Sequence, residues 1–485
     1  MRERLGVTGT RAYLALFCLL FLPAAPYLLP GGGYLRITGF KFVLYLCMTL
    51  PWLLLAAPAA LERLKSGRLR PLHWAVPGFL LWSLLSALLS PWPLTALLGG
   101  DRHEGFVTLL LYGLGCLCCS ALYRPGKHPC LCPAAALGFL DLLCLLQLRG
   151  LDPLGLYPPG MGWTDANILY PGSYLGSVGN AGAAGAVLCT VSALLFLALL
   201  REGGRRWLLL IPLLPAARVL GRMEVAAAAL ALTAILLLSP LAAVRSFSAL
   251  GRWLIAAPLM LTCLLPCLWP MLCLCLPGPV ILFLNRKQEE ERRSHLLRKL
   301  ILAATLTGLA LLPLFLSVYS GDLVPLEEAG AILRGDIRDG FGSGRIYIWR
   351  QVLAAVPASP LLGSGPDTLG LLELPPYVWY SEETGKTVVS SIDAAHCEYL
   401  HTLVCQGIPA ALSHVFLVLL SLLRFLRRGN RATGVCAGAA LCYGVQACFG
   451  ISTCAAAPLF WLLLGCSEAL AAEEQEVIAN ADALC

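Results

Sequence analysis

Charged residues are scarce in this chain. Asp, Glu, Lys and Arg make up 13% of its 485 residues, whereas soluble domains carry about 25%. Hydrophobic residues account for 58% of the chain, and its mean hydropathy is +0.76. Apolar runs of about 20 residues, the length that crosses a bilayer as a helix, recur along the sequence. The composition therefore excludes an ordinary soluble enzyme and predicts an all-α polytopic membrane protein.

One long region, residues 321–396, lacks such apolar runs. It also lacks cysteine, although the whole chain contains 21 cysteines. We therefore expect no disulfide framework in this region, and the cysteines inside apolar runs should act as small hydrophobic residues. If the protein performs chemistry, the polar segment 321–396 and the side chains that face it are the expected location.

The distribution of charge predicts which side of the membrane this segment occupies. Ten acidic and five basic residues give segment 321–396 a net charge of −5; the whole chain carries +7, so the rest carries +12. By the positive-inside rule, basic connections are cytoplasmic and the acidic segment is extracytoplasmic. No nucleic-acid partner is implied. The basic connections fall at residues 63–70, 124–127, 201–206, 245–252, 286–299 and 424–431.

We predict about 12–14 transmembrane helices, with both chain ends in the cytoplasm and an uncleaved first span. Residues 253–284 contain five prolines, four of them between residues 266 and 279, and are too long for one straight helix. Basic clusters flank them on both sides, which predicts two short spans or a re-entrant hairpin. The predicted division is a transmembrane bundle (1–320), an extracytoplasmic loop (321–396), further transmembrane helices (397–471) and a cytoplasmic tail (472–485).

Several polar residues are candidates for a site on the outer face. Ser343 is predicted to cap a helix on which Arg345 and Trp349, four residues apart, share one face. Arg350 is about 140° away from Arg345 on that helix, so the two are not expected to bind the same ligand. The alternative for Arg345 is a surface salt bridge. Residues 363–366 are predicted to form a turn.

His396 and Arg222 are the other candidates. His396 lies where the polar segment enters the membrane, and a neutral imidazole there is suited to accept a proton from a hydroxyl group. Arg222 is predicted to lie on the outer side, where the positive-inside rule makes a basic residue less expected, so it is a candidate for binding. The alternative is that Arg222 only anchors its helix by reaching the lipid headgroups. His401 is expected to be packed among helices, and His103 is expected to have a supporting role.

These residues, in this order, resemble the O-antigen ligase and O-antigen polymerase family, in particular its Gram-positive branch. Four stretches of the chain, within residues 70–470, carry the resemblance. They are Ser90-Pro91-Trp92-Pro93 with Gly99-Gly100-Asp101-Arg102-His103-Glu104-Gly105-Phe106; Gly221-Arg222-Met223-Glu224; Gly344-Arg345-Ile346-Tyr347-Ile348-Trp349 with Pro360-Leu361-Leu362-Gly363-Ser364-Gly365-Pro366-Asp367; and Asp393-Ala394-Ala395-His396-Cys397-Glu398-Tyr399-Leu400 with Gly407-Ile408-Pro409. The chain has Cys397 where the family has Asn.

The resemblance implies a GT-C type, inverting, metal-independent glycosyltransferase with no cofactor. Such an enzyme moves a glycan from undecaprenyl diphosphate to a hydroxyl of a glycan, lipid or protein acceptor, on the outer face of the cell membrane. His396 would be the catalytic base, and Arg222 and Arg345 would hold the diphosphate. The other implied substrate-binding residues are Arg102, Glu104 and Tyr399. The lack of a D-x-D pair in segment 321–396 agrees with the implied absence of a metal.

Two other classes of function stay open from the sequence. A transporter or flippase of lipid-linked glycans would also use arginines for the diphosphate, but it would need charged residues deep within its spans. Such acids are scarce, and Asp141 is the clearest. A structural or sensory membrane protein without activity is the second alternative.

Overall fold

The computed structural model describes residues 2–23, 34, 37–100, 102–157, 175–223, 225–284, 291–321, 323–381 and 385–482. Within them the chain forms seventeen α-helices and one β-hairpin. The helices are α1 (Arg2–Leu16), α2 (Ile37–Ser66), α3 (Leu72–Leu88), α4 (Pro93–Leu98), α5 (Phe106–Leu122), α6 (Leu131–Gln147), α7 (Ala181–Arg201), α8 (Leu210–Arg222), α9 (Ala226–Ala243), α10 (Phe247–Leu264), α11 (Pro277–Leu284), α12 (Glu291–Val318), α13 (Val324–Leu333), α14 (Phe341–Ala355), α15 (Glu398–Arg428), α16 (Ala432–Gln446) and α17 (Ala457–Asp482).

Eight helical stretches of the described chain are long and apolar enough to cross a membrane. This confirms the prediction of an all-α polytopic protein at the level of class. Three shorter apolar helices, α3, α5 and α6, accompany them, and the total of 12–14 crossings stays a prediction. The eight stretches are Arg2–Phe21, Ile37–Ser66, Ala181–Arg201, Ala226–Ala243, Phe247–Leu264, Pro266–Leu284, Leu296–Val318 and Glu398–Arg428.

The proline-rich stretch 253–284 doubles back on itself. After α10, a 3₁₀ segment (Pro266–Cys275) reverses the chain, and α11 returns along α10. The two helices are so close that a Cβ added to Gly278 would lie 3.0 Å from the carbonyl oxygen of Gly251. Each proline removes a helical hydrogen bond, which explains why the stretch is not one helix. The prediction that this stretch is not one straight helix is confirmed, and both alternatives, two short spans or a re-entrant hairpin, agree with the reversal.

Helix α7 is the centre of the bundle. It is almost entirely buried, because α6, α8, α9, α10 and α16 all pack around it. Small and branched apolar residues cover its whole circumference, as expected for a helix with no solvent face. Its N-terminus is capped by Asn180, whose side-chain oxygen accepts a hydrogen bond of 2.7 Å from the backbone N–H of Ala183.

Segment 321–396 is folded rather than extended. Helix α13 docks on the end of α12, where the Arg334 guanidinium donates to the Ser317 carbonyl at 2.7 Å. After α14, strands β1 (Tyr377–Ser381) and β2 (Lys386–Ser390) pair antiparallel, with Tyr377 opposite Ser390. The extracytoplasmic position of this segment stays a prediction.

The prediction that Ser343 caps α14 is wrong. Gly342, Ser343 and Gly344 all have left-handed backbone conformations, with φ of +63°, +59° and +84°. They form a left-handed entry to the helix, and regular helical geometry starts at Arg345. At Gly344 an added Cβ would lie 2.6 Å from the Tyr377 ring, so this close approach to the hairpin requires glycine.

Helix α15 breaks near its start, and the break holds segment 321–396 in place. Pro409 has no N–H, so the Cys405 carbonyl loses its helical partner. That carbonyl instead accepts hydrogen bonds from the Gly365 N–H (2.7 Å) and the Ser86 hydroxyl (2.9 Å). The backbone of Ser364 likewise donates to Val404 at 3.1 Å. The predicted turn at 363–366 therefore supplies hydrogen-bond donors to carbonyl groups at the break in the helix.

The C-terminal helix does not stop where the last span was predicted to end. Helix α17 continues past residue 471 to Asp482, and it packs along α5 and α16. Most of the predicted tail 472–485 is therefore helical, and residues 483–485 lie outside the described residues. Residues 101 and 224, which belong to the stretches that carry the resemblance, also lie outside them, as do residues 158–174.

Candidate functional site

His396 occupies a tight turn between β2 and α15. Its backbone has φ of +48°, a left-handed conformation that costs a non-glycine residue of order 1–3 kcal/mol. The turn is held from α14, because the Trp349 indole N–H donates to the Ala395 carbonyl at 2.9 Å. Strained residues of this kind cluster at functional sites. His103, Ser343 and Asp367, with φ between +56° and +59°, lie in the other segments that build the site.

The loop before α5 is fastened to the same turn. Arg102 donates two hydrogen bonds to Asp393, one to its carbonyl (2.7 Å) and one to its carboxylate (2.6 Å). From the other side, the Asp367 carboxylate accepts hydrogen bonds from the backbone N–H groups of Gly100 (2.7 Å) and Glu104 (3.2 Å). Three segments that are distant in sequence thus form one polar unit beside His396.

Arg345 is a half-buried cation that forms no ion pair with any described residue. Its Nη1 donates to the Gly342 carbonyl (2.6 Å) and its Nη2 to the Phe449 carbonyl (3.3 Å), whereas its buried Nε has no partner. Burial lowers the pKa of Arg345 from its ordinary value, and nearby Glu328 opposes that shift. An unneutralised guanidinium of this kind is suited to an incoming anion.

The predicted helical face is confirmed. Arg345 and Trp349 both reach Phe449, since the Trp349 and Phe449 rings lie 6.0 Å apart. Arg350 points elsewhere: it is exposed and forms an ion pair of 2.7 Å with Asp339. The structure therefore separates the two arginines as the helical periodicity predicts.

A small cavity lies at the meeting point of these segments. Its volume is about 40 Å³, which is enough for a few water molecules and too little for a sugar ring. Polar groups from four elements face it, together with the aromatic rings of Phe79, Tyr112 and Trp461. The ionisable residues that line it include Arg102, Glu104, Asp367, His396, Glu398 and His401.

Glu104 is buried two residues before the start of α5. Tyr112 donates a hydrogen bond of 2.6 Å to its Oε1, and Ser452 donates one of 2.7 Å to its Oε2. Burial raises the pKa of Glu104 to about 8, although both hydrogen bonds oppose the shift. Burial also raises the pKa of the Asp367 carboxyl, against the two backbone N–H donors that favour its charged form.

The environment of His396 favours the neutral imidazole. Burial is the largest cause, and the positive charges of Arg345 and Arg102 add to it; together they lower the pKa of His396 to about 4, with Asp393 opposing. No hydrogen bond joins the imidazole to a described side chain. At neutral pH it is therefore uncharged and available to accept a proton.

Three of the predicted site residues do not line this cavity. Arg345 lies near enough to His396 to act on its charge, but it is not part of the lining. Arg222 is exposed at the C-terminal end of α8 and forms no hydrogen bond or ion pair with the described parts of the chain. Tyr399 donates a hydrogen bond of 2.5 Å to the Gly444 carbonyl, and its ring lies 5.2 Å from the His414 ring. The structure thus gives Tyr399 a role in joining α15 to α16.

Sequence reasoning missed several residues of the cavity. Glu398 is buried and accepts a hydrogen bond of 2.8 Å from Tyr443. His401, expected to be packed, lines the cavity with a buried Nδ1 that has no partner among the described residues. The signal that was available is the i, i+3 spacing of Glu398 and His401 at the start of α15. His103 has the expected supporting role, since its ring stacks on Phe42 at 4.4 Å.

Among the described residues, no three His, Cys, Asp or Glu side chains lie close enough together to hold a metal ion. What the site can do is bind an anion at Arg345 and take up a proton at His396. No protein-family model matches the chain, and no curated protein matches it significantly.

Proposed function

We propose that this protein is a membrane glycosyltransferase, a ligase or polymerase in the assembly of a cell-surface polysaccharide. It would move a glycan from undecaprenyl diphosphate to an acceptor hydroxyl on the outer face of the cell membrane. The observation that carries the proposal is the closeness of two residues: His396, which lines the polar cavity, and Arg345, a guanidinium without an ion pair among the described residues whose charge acts on the imidazole.

In the proposed reaction, the acceptor hydroxyl attacks the anomeric carbon of the donor sugar. The new C–O bond forms as the bond from that carbon to the diphosphate breaks, and the diphosphate leaves with the electron pair. His396 takes the proton of the hydroxyl, and Arg345 stabilises the negative charge that develops on the leaving group. In-line attack inverts the anomeric carbon. No metal or cofactor has a part in these steps.

The size of the cavity limits where the substrates bind. A sugar ring does not fit within about 40 Å³, so the donor would lie outside the cavity, against the partly exposed side chains of His396 and Arg345. Arg222, exposed and free of described ion pairs, is proposed as a second cation that meets the donor from α8. Arg102 would act by holding the turn that carries His396, and Glu104 by fixing Asp367 and Ser452 beside it.

The experiment replaces His396, Arg345 and Arg222 singly with Ala and measures lipid-linked donor and finished polymer in cells. We expect donor to accumulate and polymer to fall at least tenfold for His396→Ala and Arg345→Ala, with unchanged protein level. Matched controls are Arg350→Ala, an exposed arginine on the same helix, and His128→Ala, an exposed histidine. Normal transfer by His396→Ala would refute the proposed base.

One observation favours a transporter or flippase as the second candidate. Asp141, in α6, is buried, and neither carboxylate oxygen has a hydrogen-bond partner among the described residues. Buried acids in membrane helices often belong to proton or ion pathways. If the flippase reading is right, Asp141→Asn would trap lipid-linked glycan on the inner face. A transferase would leave the donor accessible on the outer face instead.

A further inference from the structure

A second pocket lies at the opposite end of the bundle from His396. Helix α15 separates the two: His396 precedes its first residue, and this pocket surrounds its last two turns. The part of α15 after its break, residues 409–428, is about 30 Å long at 1.5 Å per residue. The pocket has a volume of about 450 Å³, which is typical of sites for small molecules. By the charge distribution, this end is the predicted cytoplasmic one.

Arginine dominates the lining of this pocket, which we call the arginine pocket. Five guanidinium groups face a single lining carboxylate, that of Glu468. Glu474 lies next to the pocket and pairs with Arg428 at 2.9 Å, so an excess of three positive charges remains when both acids are counted. The five arginines are Arg68, Arg70, Arg424, Arg427 and Arg428.

The base of the arginine pocket is a rigid ion-pair network. The carboxylate of Glu468, 1% exposed, accepts from Arg70 at 3.2 Å and from Arg424. Arg70 is further fixed by Gln475 at 2.9 Å. These contacts hold the guanidinium groups in place before any ligand arrives, which lowers the entropic cost of binding.

Positive charge in the arginine pocket is left without a partner. The Nη1 atom of Arg424 is buried and has no hydrogen bond to a described residue, although an unsatisfied buried donor is costly. Arg68 and Arg427 are exposed and form no ion pair within the described chain. The combination of fixed and unpaired guanidinium groups is suited to a phosphate group, which accepts several charge-assisted hydrogen bonds.

The rest of the lining is apolar. Leucines stand beside the arginines, and two of them are exposed by 44% and 46%. A soluble anion would leave these side chains uncovered, whereas a lipid would cover them with the start of its acyl chains. Basic pockets between helix ends are known to bind anionic headgroups. The leucines are Leu69, Leu420 and Leu423.

We propose that the arginine pocket binds the phosphate headgroup of an anionic membrane lipid. This site is independent of the chemistry at His396 and does not rest on the proposed transferase activity. Its occupant would join the start of α3, the end of α15 and α17, because each of these elements supplies part of the lining. The lipid would thereby stabilise the end of the bundle that is farthest from the cavity.

The test uses the purified full-length protein in neutral detergent, stripped of lipid and then titrated with phosphatidylglycerol. Bound lipid is counted by native mass spectrometry, with phosphatidylcholine as the neutral comparison and inorganic pyrophosphate as the soluble one. The variant is Arg68→Gln with Arg427→Gln, which leaves the buried network intact. At about fivefold per arginine, we expect phosphatidylglycerol binding to weaken about 25-fold.

The control is Arg4→Gln with Arg205→Gln, which makes the same change in net charge at two exposed positions outside the pocket. It should bind phosphatidylglycerol like the wild type. Equal lipid binding by the two double variants would overturn the proposal. So would binding of pyrophosphate that phosphatidylglycerol fails to displace, since the pocket would then belong to a soluble anion.

Discussion

Arg102 donates hydrogen bonds to both the carbonyl (2.7 Å) and the carboxylate (2.6 Å) of Asp393, which lies three residues before His396. The contact joins the loop before α5 to the turn that carries the histidine. Burial is the main cause of the lowered pKa of His396, and the charges of Arg345 and Arg102 add to it, so Arg102 positions the turn and also contributes to keeping the imidazole uncharged. This relationship leads to the first two predictions.

The Arg102–Asp393 pair should be coupled energetically. In a double-mutant cycle with Arg102→Ala and Asp393→Ala, thermal unfolding should give a coupling free energy of about 1 kcal/mol. The control cycle is Arg338 with Asp336, an exposed pair at 2.7 Å, which should show a coupling close to zero. Equal coupling in both cycles would mean that the contact between Arg102 and the Asp393 carboxylate contributes no more than an exposed pair of neighbouring residues.

The pH dependence of transfer should reflect the lowered pKa of His396. A base with a pKa of about 4 stays deprotonated as pH falls from 8 to 5.5, so the rate should stay level there and fall only as pH approaches 4. Removing a neighbouring positive charge raises the pKa of the base. In Arg102→Gln the acid limb should therefore move to higher pH. A limb near pH 6.5 in both proteins would contradict this environment.

Glu104 should make the protein less stable as pH rises. Its pKa is about 8 in the folded protein and about 4.3 in an unfolded chain. Between these values the folded state holds a proton that the unfolded state has lost, so the free energy of unfolding falls with increasing pH. Glu104→Gln removes this titration, and its melting temperature should change less between pH 5 and 8. An unchanged slope would show that Glu104 is charged in the fold.

The same position separates hydrogen bonding from charge. Glu104→Gln keeps partners for the hydroxyl groups of Tyr112 and Ser452, whereas Glu104→Ala leaves both without one. We expect the Ala variant to be less stable than the Gln variant by about 1–3 kcal/mol at pH 6. Thermal unfolding of the two detergent-solubilised variants measures the difference, and equal melting temperatures would contradict it.

Gly407 should be the least replaceable residue of the helix break. Its φ is +83°, and a Cβ there would overlap backbone atoms of Leu361. Gly335 has a similar φ of +86° with open space around it, so Gly335→Ala should cost only about 1 kcal/mol. Gly407→Ala should lower the melting temperature several times more. Equal effects would show that backbone conformation, not contact with segment 321–396, decides the cost.

Local patterns in the sequence were sufficient for the features that depend on neighbouring residues. Apolar runs indicated the class of fold, the prolines between residues 266 and 279 indicated that the chain doubles back, and i, i+4 spacing indicated the shared face of Arg345 and Trp349. A helical span is satisfied by its own backbone hydrogen bonds, so its existence depends little on the rest of the chain. Ser343 shows the limit, since two flanking glycines overrode its capping tendency.

The site itself was decided by tertiary structure. Ser452 bonds to Glu104 across 348 residues, and Arg102 to Asp393 across 291; no pattern of adjacent residues encodes such pairs. Likewise, the break of α15 at Pro409 leaves carbonyl groups that accept hydrogen bonds from Ser364 and Gly365, next to Asp367, which bonds to the loop before α5. The sequence by itself determined a membrane bundle with a polar segment and named His396 and Arg345. Only packing decided that Arg102 and Asp367 stand with them, while Tyr399 turns away.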